Sequence, residues 1–342
     1  MEQPNTWKDV LAALAGQRNE LQEWLRNEKF GQVILVGCGA SYHAGVCAAR
    51  VFHSVAGLNA IALPSSEVLY SSRPPYDIRI KTLLVALSRS GETSETVWAV
   101  EKLKSLDARL KVMAMVFKKD TELAQQAHLV LAFPSVHEES VLATRTFTCS
   151  VLALEVLAAW IAGNDPFVEE LNRLPETFNL KKHQAEIQKA VALKPQHITF
   201  LGSGPFYGLA LFSSLLMREM AYQPSDAMHL LEFRHGAQSS VLQHTLIIAF
   251  LSDTLRRAEE DMIREVAAMR GPRMVICSEA DNRTKMGTEY VFELGKEVSE
   301  LGRLCLAAPF GQMLAFYLAI SKGANPDRPK HVTPVIKLKE RM

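Results

Sequence analysis

The sequence has almost no excess charge of either sign, with 38 lysines and arginines against 37 aspartates and glutamates in 342 residues. Gripping a nucleic-acid backbone calls for a basic excess or stripe, so no nucleic-acid partner is expected. Long hydrophobic runs are missing too: no unbroken apolar stretch reaches the roughly 20 residues that a membrane-crossing helix needs, and no membrane partner is expected. Met1 to Asp9 contain neither a basic start nor an apolar core, so they do not read as a secretion signal. Cysteine is sparse and scattered. Cys38, Cys47, Cys149, Cys277 and Cys305 form no CxxC pair and no zinc-ligand spacing, which points to reduced, mostly buried thiols in a cytoplasmic protein. The ten histidines contain no HxH or HExxH cluster, so neither a metal nor another cofactor is expected.

What the sequence does contain is a repeated pattern of short apolar runs. Trp7, Val10, Leu11, Leu14, Leu21, Trp24 and Leu25 recur at helical spacing, so residues 7–28 read as an amphipathic helix. Gln32 to Gly37 is then continuously apolar and ends in glycine, with an apolar helix from about Tyr42 to Val55. A run without alternation suits a strand buried on both faces of a parallel sheet. The same pattern returns at Asn59–Leu63, at Lys81–Leu87 with a helix from Glu92, at Leu110–Val116 and at Leu129–Phe133. Strand, turn, helix, strand is the doubly wound α/β pattern. The second half repeats it. His197 to Gly204 matches Val33 to Gly39, and Thr245–Ala249 matches Thr82–Ala86, both at an offset of about 165 residues, which indicates duplication. The polar stretch 164–195 is the place for a boundary, so the expectation is two α/β domains with parallel sheets.

Two strand ends carry anion chemistry. Gly37-Cys38-Gly39-Ala40-Ser41-Tyr42 lacks the third glycine of a dinucleotide fingerprint, because Tyr42 stands there. Its glycines, the free N–H groups of the following helix and the Ser41 hydroxyl still favour an anion, the alternative being Ser41 as a plain N-cap. Ser88-Arg89-Ser90-Gly91-Glu92-Thr93 is the stronger signal, since several hydroxyls, an arginine and a glycine crowd one turn before a helix. A capping box would need only one of those hydroxyls. The loop lacks a P-loop lysine, which argues against a nucleoside triphosphate.

The acid–base candidates are weaker on their own. Glu219 lies in the largely apolar stretch Leu216–Tyr222, where a raised pKa would suit proton transfer; the plainer reading is a glutamate on the polar face of a helix. His235, in Glu232-Phe233-Arg234-His235-Gly236, reads alone as a loop histidine. Glu138 and Glu139 read as a solvated pair, with contact to a substrate amino group as the alternative.

Gly-Cys-Gly-Ala-Ser followed by Ser-Arg-Ser-Gly-Glu-Thr resembles the sugar-isomerase (SIS) domain, and two such domains in tandem resemble the isomerase half of glucosamine-6-phosphate synthase. The similarity runs from about residue 30 to about 333 and includes Thr144–Thr148, Glu232–Gly236 and Lys322 to Pro329. It implies two flavodoxin-like domains in tandem: an N-terminal helix at 1–29, a phosphate-binding SIS domain at 30–180, a catalytic one at 181–325 and a tail at 326–342. It places phosphate binding on Ser41, Ser88, Arg89, Ser90 and Thr93. It makes Glu219 the proton shuttle between C1 and C2, and His235 the group that assists ring opening, in relatives often from a neighbouring subunit. A homodimer or higher homo-oligomer follows from that. Most relatives have Gln at Arg89, whose guanidinium either joins the phosphate or turns to a surface carboxylate. At the strand end matching the Ser88 loop, Ser252-Asp253-Thr254 carries an aspartate that repels phosphate, leaving one phosphate site per chain. The synthase's glutaminase is not seen, so amidotransfer from glutamine is not expected. The tail lysine of synthases and many deaminases falls on Pro334, and a second active-site lysine falls on Leu216. The resemblance implies an isomerase or deaminase of a 6-phosphorylated amino sugar. The alternatives are a deglycase of fructosamine 6-phosphates and a non-catalytic sugar-phosphate sensor.

Overall fold

The computed structural model describes residues 2–340. The described residues form two compact units, 2–176 with 333–340, and 177–332. The first unit opens with α1 (Gln3–Gly16) and α2 (Arg18–Glu28), where the sequence pattern suggested one helix. The break falls at Gly16-Gln17, glycine being the ordinary residue least favourable to a helix, and Gln17 leaves helical geometry at φ −106°, ψ 5°.

The sheet pattern then unrolls as β1 (Gln32–Gly37), α3 (Ala40–Ala56), β2 (Asn59–Pro64), α4 (Ser65–Tyr70), β3 (Thr82–Ser88), α5 (Ser94–Leu106), β4 (Lys111–Val116), α6 (Glu122–Gln126) and β5 (Leu129–Ala132). Next come α7 (Arg145–Ala162) and α8 (Asp165–Thr177). The strands pair in the order β2-β1-β3-β4-β5, all parallel. Every residue of β1 and β3 is buried. Ile34, Val36, Leu84 and Ala86 pack with Val97, Val100 and Leu103 of α5, which is why these strands read as unbroken apolar runs.

The second unit contains α9 (Gln184–Ala192), β6 (His197–Gly202), α10 (Phe206–Ala221), β7 (Ser225–His229), β8 (Thr245–Phe250), α11 (Arg256–Ala267), β9 (Arg273–Cys277), α12 (Asn282–Met286), β10 (Tyr290–Glu293) and α13 (Arg303–Ser321). Its order, β10-β9-β8-β6-β7, is the first sheet's order over again, and all its pairs are parallel. Two doubly wound parallel sheets in tandem is therefore the fold, as the sequence led us to expect. In such sheets ligands bind beyond the carboxyl ends of the strands where the order reverses. In the first unit that point lies between β1 and β3, the strands that carry the two loops singled out above.

Helices α7 and α13 have 18-residue windows of mean hydropathy 1.4 and 1.6, long and apolar enough to cross a membrane, with 83% and 72% of those windows buried inside the protein. Burial on nearly all sides explains their composition, since a core helix has little polar face to present. All five cysteines are free thiols, buried except for the half-buried Cys38.

Candidate functional site

At the end of β1 the chain turns through Gly39, at φ +54°, into α3. Gly39 is the N-cap position and no side chain caps this end. Ser41 therefore sits inside the first turn of the helix, and its hydroxyl makes no hydrogen bond among the described residues. A Cβ on Gly37 would stand 3.0 Å from Ser41 Cβ and 3.1 Å from the Leu87 oxygen. A side chain here would push the helix start a few tenths of an ångström away from the end of β3. Thr96 in the first turn of α5 lies 3.6 Å from Cys38 Sγ of this loop and 3.1 Å from Ser65 Oγ at the start of α4, measured from its Oγ1.

The Ser88 loop is built largely from its own hydroxyls. Gly91 N–H donates to Ser88 Oγ at 3.0 Å, and Glu92 N–H donates to Ser90 Oγ at 3.1 Å. Both serines accept, so both O–H groups remain to be donated elsewhere. They are almost fully buried, at 5% and 4% exposure, where an unused donor is costly unless a ligand receives it. Thr93 is the N-cap residue of α5, yet its side chain makes no cap hydrogen bond. The capping box weighed against ligand binding is thus not formed. Arg89 directs its guanidinium at three carbonyl oxygens, those of Ser140 (3.4 Å), Val141 (2.8 Å) and Pro334 (3.2 Å), and at no carboxylate among the described residues.

A cleft of about 610 Å³ opens beside this loop, lined by Arg89, Ser90, Lys118, Lys119, Ser140, Val141, Pro334 and Val335 among others. Glu138, read from sequence as half of a solvated pair, lies at its wall and accepts five hydrogen bonds. The donors are the N–H and hydroxyl of Thr144, the N–H and hydroxyl of Thr146, and Arg145 N–H. It is a side-chain cap on α7, a carboxylate placed at the positive end of a helix. Glu139 remains exposed.

His43, two residues after Ser41 on α3, is held by burial down to about 4 from an ordinary 6.5. Its Nδ1 is buried without a hydrogen-bond partner. A neutral folded histidine that charges freely when unfolded makes stability fall with pH between about 6.5 and 4, because there the unfolded state binds the extra proton. The contribution, complete above the unfolded value, is at most about 3 kcal/mol. Urea unfolding at pH 7 and pH 4.5 is expected to show a smaller loss of stability in His43→Leu than in the parent protein; an equal loss would show that His43 is not the group responsible.

The second unit answers differently at the equivalent strand end. Leu255 N–H donates to Ser252 Oγ at 3.0 Å, repeating the Ser88–Gly91 bond of the first unit. Here, however, Asp253 N–H (2.7 Å), Thr254 N–H (3.0 Å) and Thr254 Oγ1 (3.2 Å) all converge on one carboxylate oxygen, Oε2 of Glu300. Asp253 itself pairs with Arg256 and Arg303 and accepts from Ser278. The donors that would face an anion are already occupied by an internal one. The two equivalent loops therefore differ: the donors of the Ser252 loop are taken up within the second unit by Glu300.

Glu219 is half-buried in the last turn of α10, between Leu216 and Met220, which are 1% and 4% exposed. His235 follows a 3-10 turn, Glu232–Arg234, anchored by the buried Phe233, and is itself exposed. Both belong to the second unit, whereas Ser41, Ser88, Arg89, Ser90 and Thr93 belong to the first.

Against known proteins, the family model of the SIS domain matches residues 25–159. The isomerizing glutamine–fructose-6-phosphate aminotransferase of Caldanaerobacter subterraneus subsp. tengcongensis is 28% identical over 352 residues, covering 97% of this chain and 57% of that protein. The enzyme of the same name from Pyrococcus horikoshii is 28% identical over 342 residues, covering 97% and 55%. The chain thus spans about half the length of these curated relatives. Among solved structures, glucosamine-6-phosphate deaminase from Thermotoga maritima superposes with a TM-score of 0.76 at 28% identity, over 96% of this chain and 100% of that one. Tagatose-6-phosphate ketose/aldose isomerase from Escherichia coli shares the fold, with a TM-score of 0.84 at 20% identity over 97% and 95%. Residues 25–159 thus match a SIS domain, and the likenesses to these relatives run nearly the whole length of the chain.

Proposed function

We propose that the chain is a phosphosugar enzyme that isomerises a 6-phosphorylated amino sugar with loss of ammonia. The observation that carries this reading is the set of undonated hydroxyls on Ser41, Ser88, Ser90 and Thr93, at the carboxyl ends of adjacent strands where the sheet order reverses. A phosphate monoester, with its several acceptor oxygens, suits that set of donors, and the charge of Arg89 adds to the attraction. In this reading the open-chain sugar presents its carbonyl or imine carbon to Glu219. The carboxylate takes the proton from the neighbouring carbon and returns it across the enediol or enolamine, and His235 moves protons on the sugar oxygens. Water replaces the amine at the imine carbon, so the products are a ketose phosphate and ammonia. Names borne by relatives, glucosamine-6-phosphate deaminase among them, support the substrate class. A homodimer is the proposed working unit.

A second reading is deglycation of a fructosamine 6-phosphate, favoured by one observation. The tail has Pro334 where a Schiff-base lysine would stand, and the nearby Lys337 is engaged with Glu92 at 2.7 Å. Incubation with glucosamine 6-phosphate, fructose 6-phosphate and fructosamine 6-phosphates, followed by assays for ammonia, free amine and ketose, separates the readings. Ammonia from glucosamine 6-phosphate is the expected result. Amine release from fructosamine 6-phosphate alone would replace the first reading with the second, and binding without product would leave a sensor.

A further inference from the structure

Arg89 makes contacts that a glutamine could not reproduce. Two of its nitrogens serve three carbonyl oxygens on two separate segments: Ser140 and Val141, ahead of α7, and Pro334, in the tail. A glutamine amide has one NH₂ on a shorter stem, while the guanidinium offers five donors in a rigid fork. Beyond Pro334 the tail continues along the start of α5. Ser94 N–H donates to the Ile336 oxygen at 3.1 Å, Leu338 N–H donates to Ser94 Oγ at 3.0 Å, and Lys337 pairs with Glu92. Four contacts therefore fasten segment 334–338 to the residues that form and follow the Ser88 loop. The same two segments supply Val141, Pro334 and Val335 to the wall of the cleft.

We propose that Arg89 is a positioning residue that fastens the tail and the 140–141 segment to the anion loop, so that tail docking and anion binding at Ser88–Thr93 reinforce each other. Each event orders the same short stretch, and whichever comes second loses less conformational freedom. The coupling is reciprocal by linkage: an anion on the loop tightens the tail, and a docked tail tightens the anion. The guanidinium's charge is not cancelled by its carbonyl partners and remains available to attract the anion toward the loop. The anion half of this proposal rests on the reading of Ser88–Thr93 given above; the tail half does not.

Hydrogen exchange on the full chain tests both halves, with inorganic phosphate and glucosamine 6-phosphate as the probes. The Ser94 and Leu338 amides report the docked tail. In Arg89→Gln both are expected to exchange about ten-fold faster than in the parent, with exchange in β1 and β3 unchanged. Arg89→Lys, which keeps the charge and three donors, should recover part of the protection, and Lys337→Ala should fall in between. In the parent, saturating glucosamine 6-phosphate should slow these amides, and Arg89→Gln should bind the ligand more weakly and lose that response even at saturation. Unchanged exchange of Ser94 and Leu338 in Arg89→Gln overturns the positioning role. If the parent binds a probe and its tail amides do not respond, the coupling is overturned and the fastening stands. If neither probe binds, the phosphate-loop reading fails separately, and the ligand-free exchange still decides the role of Arg89.

Discussion

Glu219→Gln is expected to lower turnover about 10³-fold while leaving sugar-phosphate affinity within about two-fold, because a positioned general base contributes 10²- to 10⁴-fold to such reactions. The amide keeps the volume and one acceptor of the carboxylate but cannot take the proton. Position should not change, since the flanking Leu216 and Met220 are buried and hold that turn of α10 in place. Affinity should not change either, because in this proposal the phosphate is held by hydroxyls of the first unit, far along the chain from Glu219. A fall in kcat and kcat/KM together, with KM little altered, is the pattern of an interaction made only in the transition state. The melting temperature serves as the control. A drop of many degrees with modest kinetic loss would mark Glu219 as structural, and unaltered turnover would remove it from the mechanism.

Much of the fold could be read from the sequence, for reasons that particular segments make clear. β1, β3 and β8 are buried throughout, so nothing in them alternates and their apolar runs stand out. The repeat at an offset of about 165 residues corresponds to two sheets with the same strand order. Three strands of the second unit were not foreseen. β7, at the edge of its sheet, contains Asp226 and ends on an exposed His229, and β10 is only four residues long. β9 is buried but starts on Arg273, which pairs with Glu289 and so hides a charge in what would otherwise read as a strand.

The candidate site divides in the same way. The hydroxyl cluster is local, and local chemistry can be seen in a sequence. Glu300 and Arg89 act across the fold, and Arg89 reaches a carbonyl 245 residues away. No spacing rule announces that a carboxylate will fill an anion nest from 47 residues further along the chain. The Ser252 loop shows the cost of this. Its sequence suggested degeneracy through Asp253, whereas the occupation of its donors by Glu300 depends on tertiary structure.

Gly91→Ala is expected to weaken sugar-phosphate binding by more than about ten-fold and to destabilise the first unit by about 2–4 kcal/mol. Two costs are involved. Gly91 has φ +67°, a conformation that costs a residue with a Cβ roughly 1–2 kcal/mol. The new methyl would also stand 2.2 Å from Thr121 Oγ1 and 2.4 Å from its Cβ, so one side must move. Thr121 is poorly placed to yield. It is 2% exposed and caps α6 by accepting from Ala124 N–H, and losing such a cap costs about 1 kcal/mol. The loop then has to shift, and it carries with it the Gly91 N–H bond to Ser88 Oγ and the Leu123 N–H bond to the Gly91 oxygen. The first of those bonds orients the Ser88 hydroxyl, and the neighbouring Glu92 N–H bond orients that of Ser90. A domain with ordinary stability, about 5–15 kcal/mol, survives the change, so binding is measured on folded protein by calorimetric titration with glucosamine 6-phosphate. A variant that melts earlier yet binds as tightly as the parent would show that the phosphate is held somewhere other than this loop.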